Sequence, residues 1–216
     1  MTKKQKHPEK NLQTLIIVGP MKFPWKVLKN FLSVPDVRLI FIDGGSVHAE
    51  KFRKKTPHLL KQAVFAGDGD SSKRAMTLKK TSQNSSDLAF VLSKLKGNSA
   101  PEICLMAGFL GGRIDHQLFN LGEIALYLKD FAKHNAPLIQ VDDKIVFVGA
   151  GTHTAFFQGR FSLASFESNQ IKITGDCDYK SKNWLSIPPL SSRGVSNLGF
   201  GEIKIETKKP LAIIRD

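Results

Sequence analysis

The chain has 216 residues, 32 Lys and Arg against 19 Asp and Glu, and a formal net charge of +13. That length supports a sizeable core without covalent staples. No apolar run approaches the roughly 18 residues of a membrane span, so an integral helical membrane protein is excluded. Cys104 and Cys177 are isolated and fit neither a disulfide framework nor a zinc-ligand spacing.

Charge is uneven along the chain. Residues 1–80 hold 17 Lys and Arg against 6 Asp and Glu, a balance of +11, and residues 81–216 hold 15 against 13, a balance of +2. Clustered positive charge raises the local concentration of phosphates, which points to a nucleotide or nucleic-acid partner; a solvated helix face is the bland alternative for a cluster such as KFRKK at 51–55. The opening MTKKQKHPEKNLQ is basic and lacks the apolar stretch of a secretory signal. Residues 1–13 are expected to be a disordered lead-in, and the protein cytoplasmic.

From there short apolar runs alternate with helical patterns, which predicts an α/β unit with a largely parallel sheet over 14–148. The predicted strands are LIIVG (15–19), VRLIFID (37–43), AVFAG (63–67), EICLMAG (102–108) and APLIQV (136–141). Pro24 suits the first turn of a helix that carries Val27, Leu28, Phe31 and Leu32. Ser85 or Ser86 caps a second, with Leu88, Val91, Leu92 and Leu95 on one face and an end near Gly97. In DHQLFNLGEIALYLKDFAKH, Leu118, Leu121, Ala125, Leu128 and Ala132 predict one stripe facing the sheet. After about residue 148 the texture changes to TAFFQG, RFSLASF, QIKITG, NWLSIPPL, EIKIET and PLAIIRD, which predicts an antiparallel β-sandwich or barrel over 149–216.

In an open α/β sheet, ligands bind beyond the carboxyl ends of the strands. Three such ends are unusual: Asp43-Gly44-Gly45, Asp68-Gly69-Asp70-Ser71, and GFLGGRIDH with Arg113, Asp115 and His116. Asp68 and Asp70, two apart in extended chain, project to the same side, and with Asp43 they form a candidate set of oxygen ligands. Neighbouring carboxylates repel unless a cation or protons neutralise them, and Mg²⁺ suits such donors. Asp87, opening a helix, is a fourth candidate. Each feature also has a plain structural explanation: a polar turn at Asp68-Gly69-Asp70, dipole placement of Asp87, a helix cap at Asp115, a packed or solvent-facing His116.

In their order and spacing IDGG (42–45), GDGDS (67–71), SSDLAFVL (85–92) and GGRIDHQLFNL (111–121) resemble the catalytic domain of thiamine pyrophosphokinases. The resemblance implies an α/β catalytic domain followed by a β-sandwich domain, acting as a homodimer with sites at the subunit interface. It implies transfer of a pyrophosphoryl group from ATP to the hydroxyl of thiamine, giving thiamine diphosphate and AMP. It places Asp43, Asp68, Asp70 and Asp87 around Mg²⁺ and the phosphates. Gly44, Ser71, Arg113, Asp115, His116 and Asn120 fall at the nucleotide side, and Gln83, Asp87, Ser196 and Asn197 at the thiamine side. The chain departs from the family pattern where Gly69 replaces a common Phe, where Asn84 and Ser86 replace an acid and a threonine, and in GDCDYKSKNWL (175–185). Trp184 there is either a stacking partner for the substrate or a structural residue. The competing readings are a pyrophosphokinase for another alcohol such as a hydroxymethyl pterin, a weakened sensor of thiamine or its diphosphate, and a basic nucleic-acid-binding protein. The last is disfavoured because the lysine clusters lack interleaved aromatics.

Overall fold

The computed structural model describes residues 14–34, 36–96, 100–131 and 135–216. The lead-in at 1–13, the helix end near Gly97 and the stripe position Ala132 lie outside the described residues. Six strands run parallel: β1 (Thr14–Val18), β2 (Val37–Ile42), β3 (Val64–Gly67), β4 (Leu78–Lys79), β5 (Ile103–Ala107) and β6 (Leu138–Val141). Their spatial order is β6-β5-β1-β2-β3-β4, so the chain winds outward from β1 in one direction and then returns to β1's other side.

The pleat explains the layers. On β1, Leu15 and Ile17 point to one face and Ile16 and Val18 to the other, all four fully buried, as both-sided burial of a parallel sheet requires. Helices α1 (Lys26–Leu32), α2 (Ala49–Lys55) and α3 (Pro57–Lys61) cover the face of Ile16 and Val18 through Val27, Leu28, Phe52, Leu59 and Leu60. Helices α4 (Asp87–Lys94) and α5 (Ile114–Lys129) cover the face of Leu15 and Ile17 through Leu88, Val91, Leu92, Ile124 and Leu128. The basic run KFRKK is the outer side of α2; only Phe52 in it is buried.

The second half is antiparallel: β7 (Ile145–Val148), β8 (Gly151–Ala164), β9 (Asn169–Cys177), β10 (Ser181–Ile187), β11 (Asn197–Thr207) and β12 (Leu211–Arg215), in the order β10-β9-β11-β8-β12-β7. Since β7 pairs with β6, all twelve strands form one continuous hydrogen-bonded sheet. The inward positions of β7 to β12, among them Phe157, Phe161, Ile171, Ile203 and Ile213, form their own apolar cluster.

Several expected elements differ in detail. TAFFQG and RFSLASF are one 14-residue strand, because Gly159 continues the ladder opposite Gly199. This strand changes partner at Phe161, from β11 to β12. The α5 stripe facing the core is Leu121, Ile124, Ala125 and Leu128, whereas Leu118 is 46% exposed on the first turns of the helix.

Candidate active site

Two of the three polar strand ends, those after β2 and β3, converge with the start of α4 at the β2-β3-β4 edge. Asp43 follows β2 at the start of a 3-10 turn (Asp43–His48), Asp68 follows β3, and Asp87 opens α4 behind its cap, where Ser86 Oγ accepts the Ala89 N–H at 3.1 Å. One carboxylate oxygen from each of the three lies within 4.8 Å of the others. Gly67 is what lets them approach. It has φ +144°, and a Cβ there would stand 2.9 Å from Asp43 Cβ and 3.3 Å from the Asp87 carboxylate.

Hydrogen bonding fixes the trio incompletely. Asp43 is 5% exposed; its Oδ2 accepts the Ser71 N–H at 3.1 Å, while Oδ1 is buried without a partner. Burial raises the Asp43 pKa, with Asp70 and Asp87 adding to it and Ser71 opposing it. Asp68 is held below the usual carboxylate range by the Asp70 N–H and the Gln83 amide, which donates to Oδ2 at 3.1 Å. Beside them stands a residue that the sequence does not single out. The Lys80 ammonium donates to Ser85 O at 2.8 Å and lies 3.1 Å from Asp87 Oδ1 and 3.6 Å from Asp68. The Asp87 contact is ionic without hydrogen-bond alignment, so that oxygen also lacks a donor. Burial pulls the Lys80 ammonium down, but pairing with Asp87 and Asp68 outweighs it and the net shift is upward.

A buried, donor-free carboxylate oxygen facing two further carboxylates is the chemistry of a hard-cation site. Asp43, Asp68 and Asp87 fit Mg²⁺. Asp70 is not in this cluster: its backbone N–H donates to Asp68 Oδ1 at 3.2 Å and its carboxylate accepts from Ser71 Oγ at 2.8 Å. Gly69, between them, has φ +87°, a value that suits glycine and would strain a phenylalanine. Gly44 packs between Pro20 and Ser71; a Cβ on it would stand 3.2 Å from Pro20 Cβ and 3.7 Å from Ser71 Cβ.

The third cluster is built differently. Arg113 precedes α5 and Asp115 is in its first turn; the guanidinium grips the Asp115 carboxylate through Nε at 3.1 Å and through Nη2, and Asp115 also accepts the His116 N–H at 2.9 Å. Both side chains are open to solvent, at 74% and 43% exposed. His116 and Asn120 follow on α5, one turn apart. The loop before them is held by Asp142, after β6, whose buried carboxylate accepts the N–H groups of Gly108, Phe109 and Leu110 at 2.6, 3.2 and 2.9 Å. Asp142 is likewise absent from the sequence-based candidates, although it stands directly after an apolar run as the other acids do.

In the antiparallel half, Ser196 has φ +61° and donates its N–H to Ser162 Oγ at 3.0 Å. The Asn197 amide bonds the backbone of Tyr179 in both directions at 2.9 Å. Trp184 lies under two ammonium groups, Lys172 at 4.7 Å and Lys208 at 4.1 Å from its ring.

No protein-family model matches the sequence, and no curated protein matches it. Solved structures do. Thiamin pyrophosphokinase from Geobacillus thermodenitrificans superposes with a TM-score of 0.69 at 19% identity, over 94% of this chain and 98% of that one. The Bacillus subtilis thiamine pyrophosphokinase gives 0.66 at 19%, over 94% and 99%, and that of Candida albicans 0.67 at 12%, over 96% and 90%. The fold is that of the thiamine pyrophosphokinases. The similarity expected from the motifs thus extends through both halves of the chain. No helix among the described residues is long and apolar enough to cross a membrane.

Proposed function

We propose that the protein is a thiamine pyrophosphokinase, transferring the pyrophosphoryl group of ATP to the hydroxyl of thiamine with release of AMP. The observation that carries this reading is the convergence of Asp43, Asp68 and Asp87, with a buried Asp43 oxygen lacking any donor, in a fold shared with those enzymes over nearly the whole chain. On this reading residues 14–148 are a Rossmann-like catalytic domain and 149–216 a β-sandwich that contributes to the thiamine side, and the enzyme works in the cytoplasm.

Phosphoryl-type transfer depends mainly on positioning and on stabilising charge. Asp43, Asp68 and Asp87 would hold Mg²⁺, which when bound would neutralise the phosphate oxygens. Ser71 orients Asp43, and Gln83 orients Asp68. Asp70 shapes this turn from just outside the trio. Arg113, with Asp115 steering its guanidinium, presents a forked donor to phosphate, and His116 and Asn120 extend that side of the site. One carboxylate accepts the alcohol proton as the oxygen attacks phosphorus. Ser196 and Asn197 line the acceptor side, Asn197 by pinning Tyr179.

The sites form between two copies of the chain. Supporting this are apolar side chains left exposed in both halves: Ile114, Leu118 and Phe119 on α5, and Phe156, Leu198 and Phe200 on one face of β8 and β11. The test is AMP release from ATP and Mg²⁺ in the presence of thiamine or of a hydroxymethyl pterin. Thiamine-dependent AMP with stoichiometric thiamine diphosphate is expected. AMP with the pterin alone reassigns the acceptor, and binding of thiamine without AMP makes the protein a sensor.

A further inference from the structure

Lys80 is 5% exposed, and its ammonium is tied to Ser85 O, Asp87 and Asp68 at 2.8, 3.1 and 3.6 Å. It reaches this place because β4 ends one residue earlier. Alternation turns Lys79 outward and Lys80 inward, and the Lys80 N–H donates to Gly67 O at 2.8 Å, which anchors the chain at the glycine where Asp43 and Asp87 meet. Two of the three acids therefore share a built-in cation. The third, Asp43, has no ion pair with Lys80, and its buried Oδ1 stays without a donor.

We propose that Lys80 is a resident counter-ion of the acidic pocket, which keeps the trio assembled when no metal is present and weakens metal binding by competing for Asp68 and Asp87. With all three acids ionised the trio carries three negative charges, and Lys80 leaves two, matching a single divalent ion. Three carboxylates this close would otherwise repel one another in the metal-free protein. A divalent ion entering the pocket meets a fixed positive charge, so its affinity is lower than three acids alone would give. This inference rests on the cation-site part of the proposed function and is independent of the acceptor alcohol.

The experiment compares Mn²⁺ binding, read by electron paramagnetic resonance, and metal-free thermal unfolding for the full chain, Lys80→Met and Lys80→Arg. Lys80→Met is expected to bind Mn²⁺ at least about tenfold more tightly, to melt lower without metal, and to gain more than the unaltered chain when Mn²⁺ is added. Lys80→Arg, which keeps the charge, is expected to stay close to the unaltered chain in both. If Lys80→Met does not fold without metal, recovery of the folded protein on refolding with Mn²⁺ supports the proposal, and failure of both Lys80→Met and Lys80→Gln to recover contradicts it. Equal or weaker Mn²⁺ affinity in Lys80→Met overturns it, because a lysine that merely orients the carboxylates would leave them less well placed when removed. Mn²⁺ binding by neither protein overturns this inference together with the cation site; binding by the unaltered chain without tightening in Lys80→Met overturns this inference alone.

Discussion

At the scale of single residues the two aspartates of GDGDS have different work. Asp68 belongs to the cluster with Asp43 and Asp87, whereas Asp70 braces the turn through Ser71 and its own N–H. Asp68→Asn is therefore expected to lower Mg²⁺-dependent turnover about 100-fold or more, as loss of a group that stabilises transferring charge does, and Asp70→Asn by roughly tenfold; steady-state AMP release measures both. Asp142 supports the α5 side from a distance. Asp142→Ala strands three N–H groups and is expected to cost about 3 kcal/mol, visible as a lowered urea midpoint. The acids of the trio are legible in the sequence because Asp43 and Asp68 follow apolar strands beside glycine and Asp87 opens a helix after the polar break SQNSS. Lys80 is not, because a lysine in a lysine-rich segment carries no mark of burial until β4 gives it a direction.

Between elements, α5 is tied down at two points. Tyr127 donates its buried hydroxyl to Leu95 O at 2.7 Å, just past α4, and Lys129 pairs with Glu167 at 3.2 Å while Lys209 reaches the other oxygen at 2.8 Å. Burial pushes the Glu167 carboxyl up, but Lys209 and Lys129 more than offset it and hold it below its ordinary 4.5. A depressed carboxyl contributes stability that is present above the unfolded value and is lost as pH falls through the folded one. Unfolding free energy is thus expected to decline below about pH 4.5, and Glu167→Gln to lessen that decline, as followed by urea unfolding across pH. The strands of the first half are readable because a parallel sheet buried on both faces gives unbroken apolar runs. In the second half boundaries are harder: Gly159 looks like a turn in the sequence but sits mid-strand, and β7, four residues buried on both faces, shows no alternation to mark it. The stripe on α5 faces the core through Leu121, Ala125 and Leu128 and departs from it at Leu118, since periodicity marks an apolar helix face and says nothing of where the sheet beneath it stops.

Over the whole molecule, one continuous sheet carries a parallel half whose strand ends gather the acids and an antiparallel half whose outer face carries Phe156 and Phe200. Pairing of two copies through these exposed apolar faces is expected to give a dimer by light scattering, and Leu118→Asp or Phe200→Asp to shift it toward monomer with loss of thiamine-dependent turnover. The proposed chemistry stands most directly on the acidic trio. The decisive measurement is anomalous diffraction at the manganese edge from crystals grown with Mn²⁺ and a non-hydrolysable ATP analogue. A peak within coordination distance of Asp43 Oδ1, Asp68 and Asp87 is expected, with the analogue's phosphates against it; density for the analogue with no manganese among these three carboxylates would contradict the proposed site.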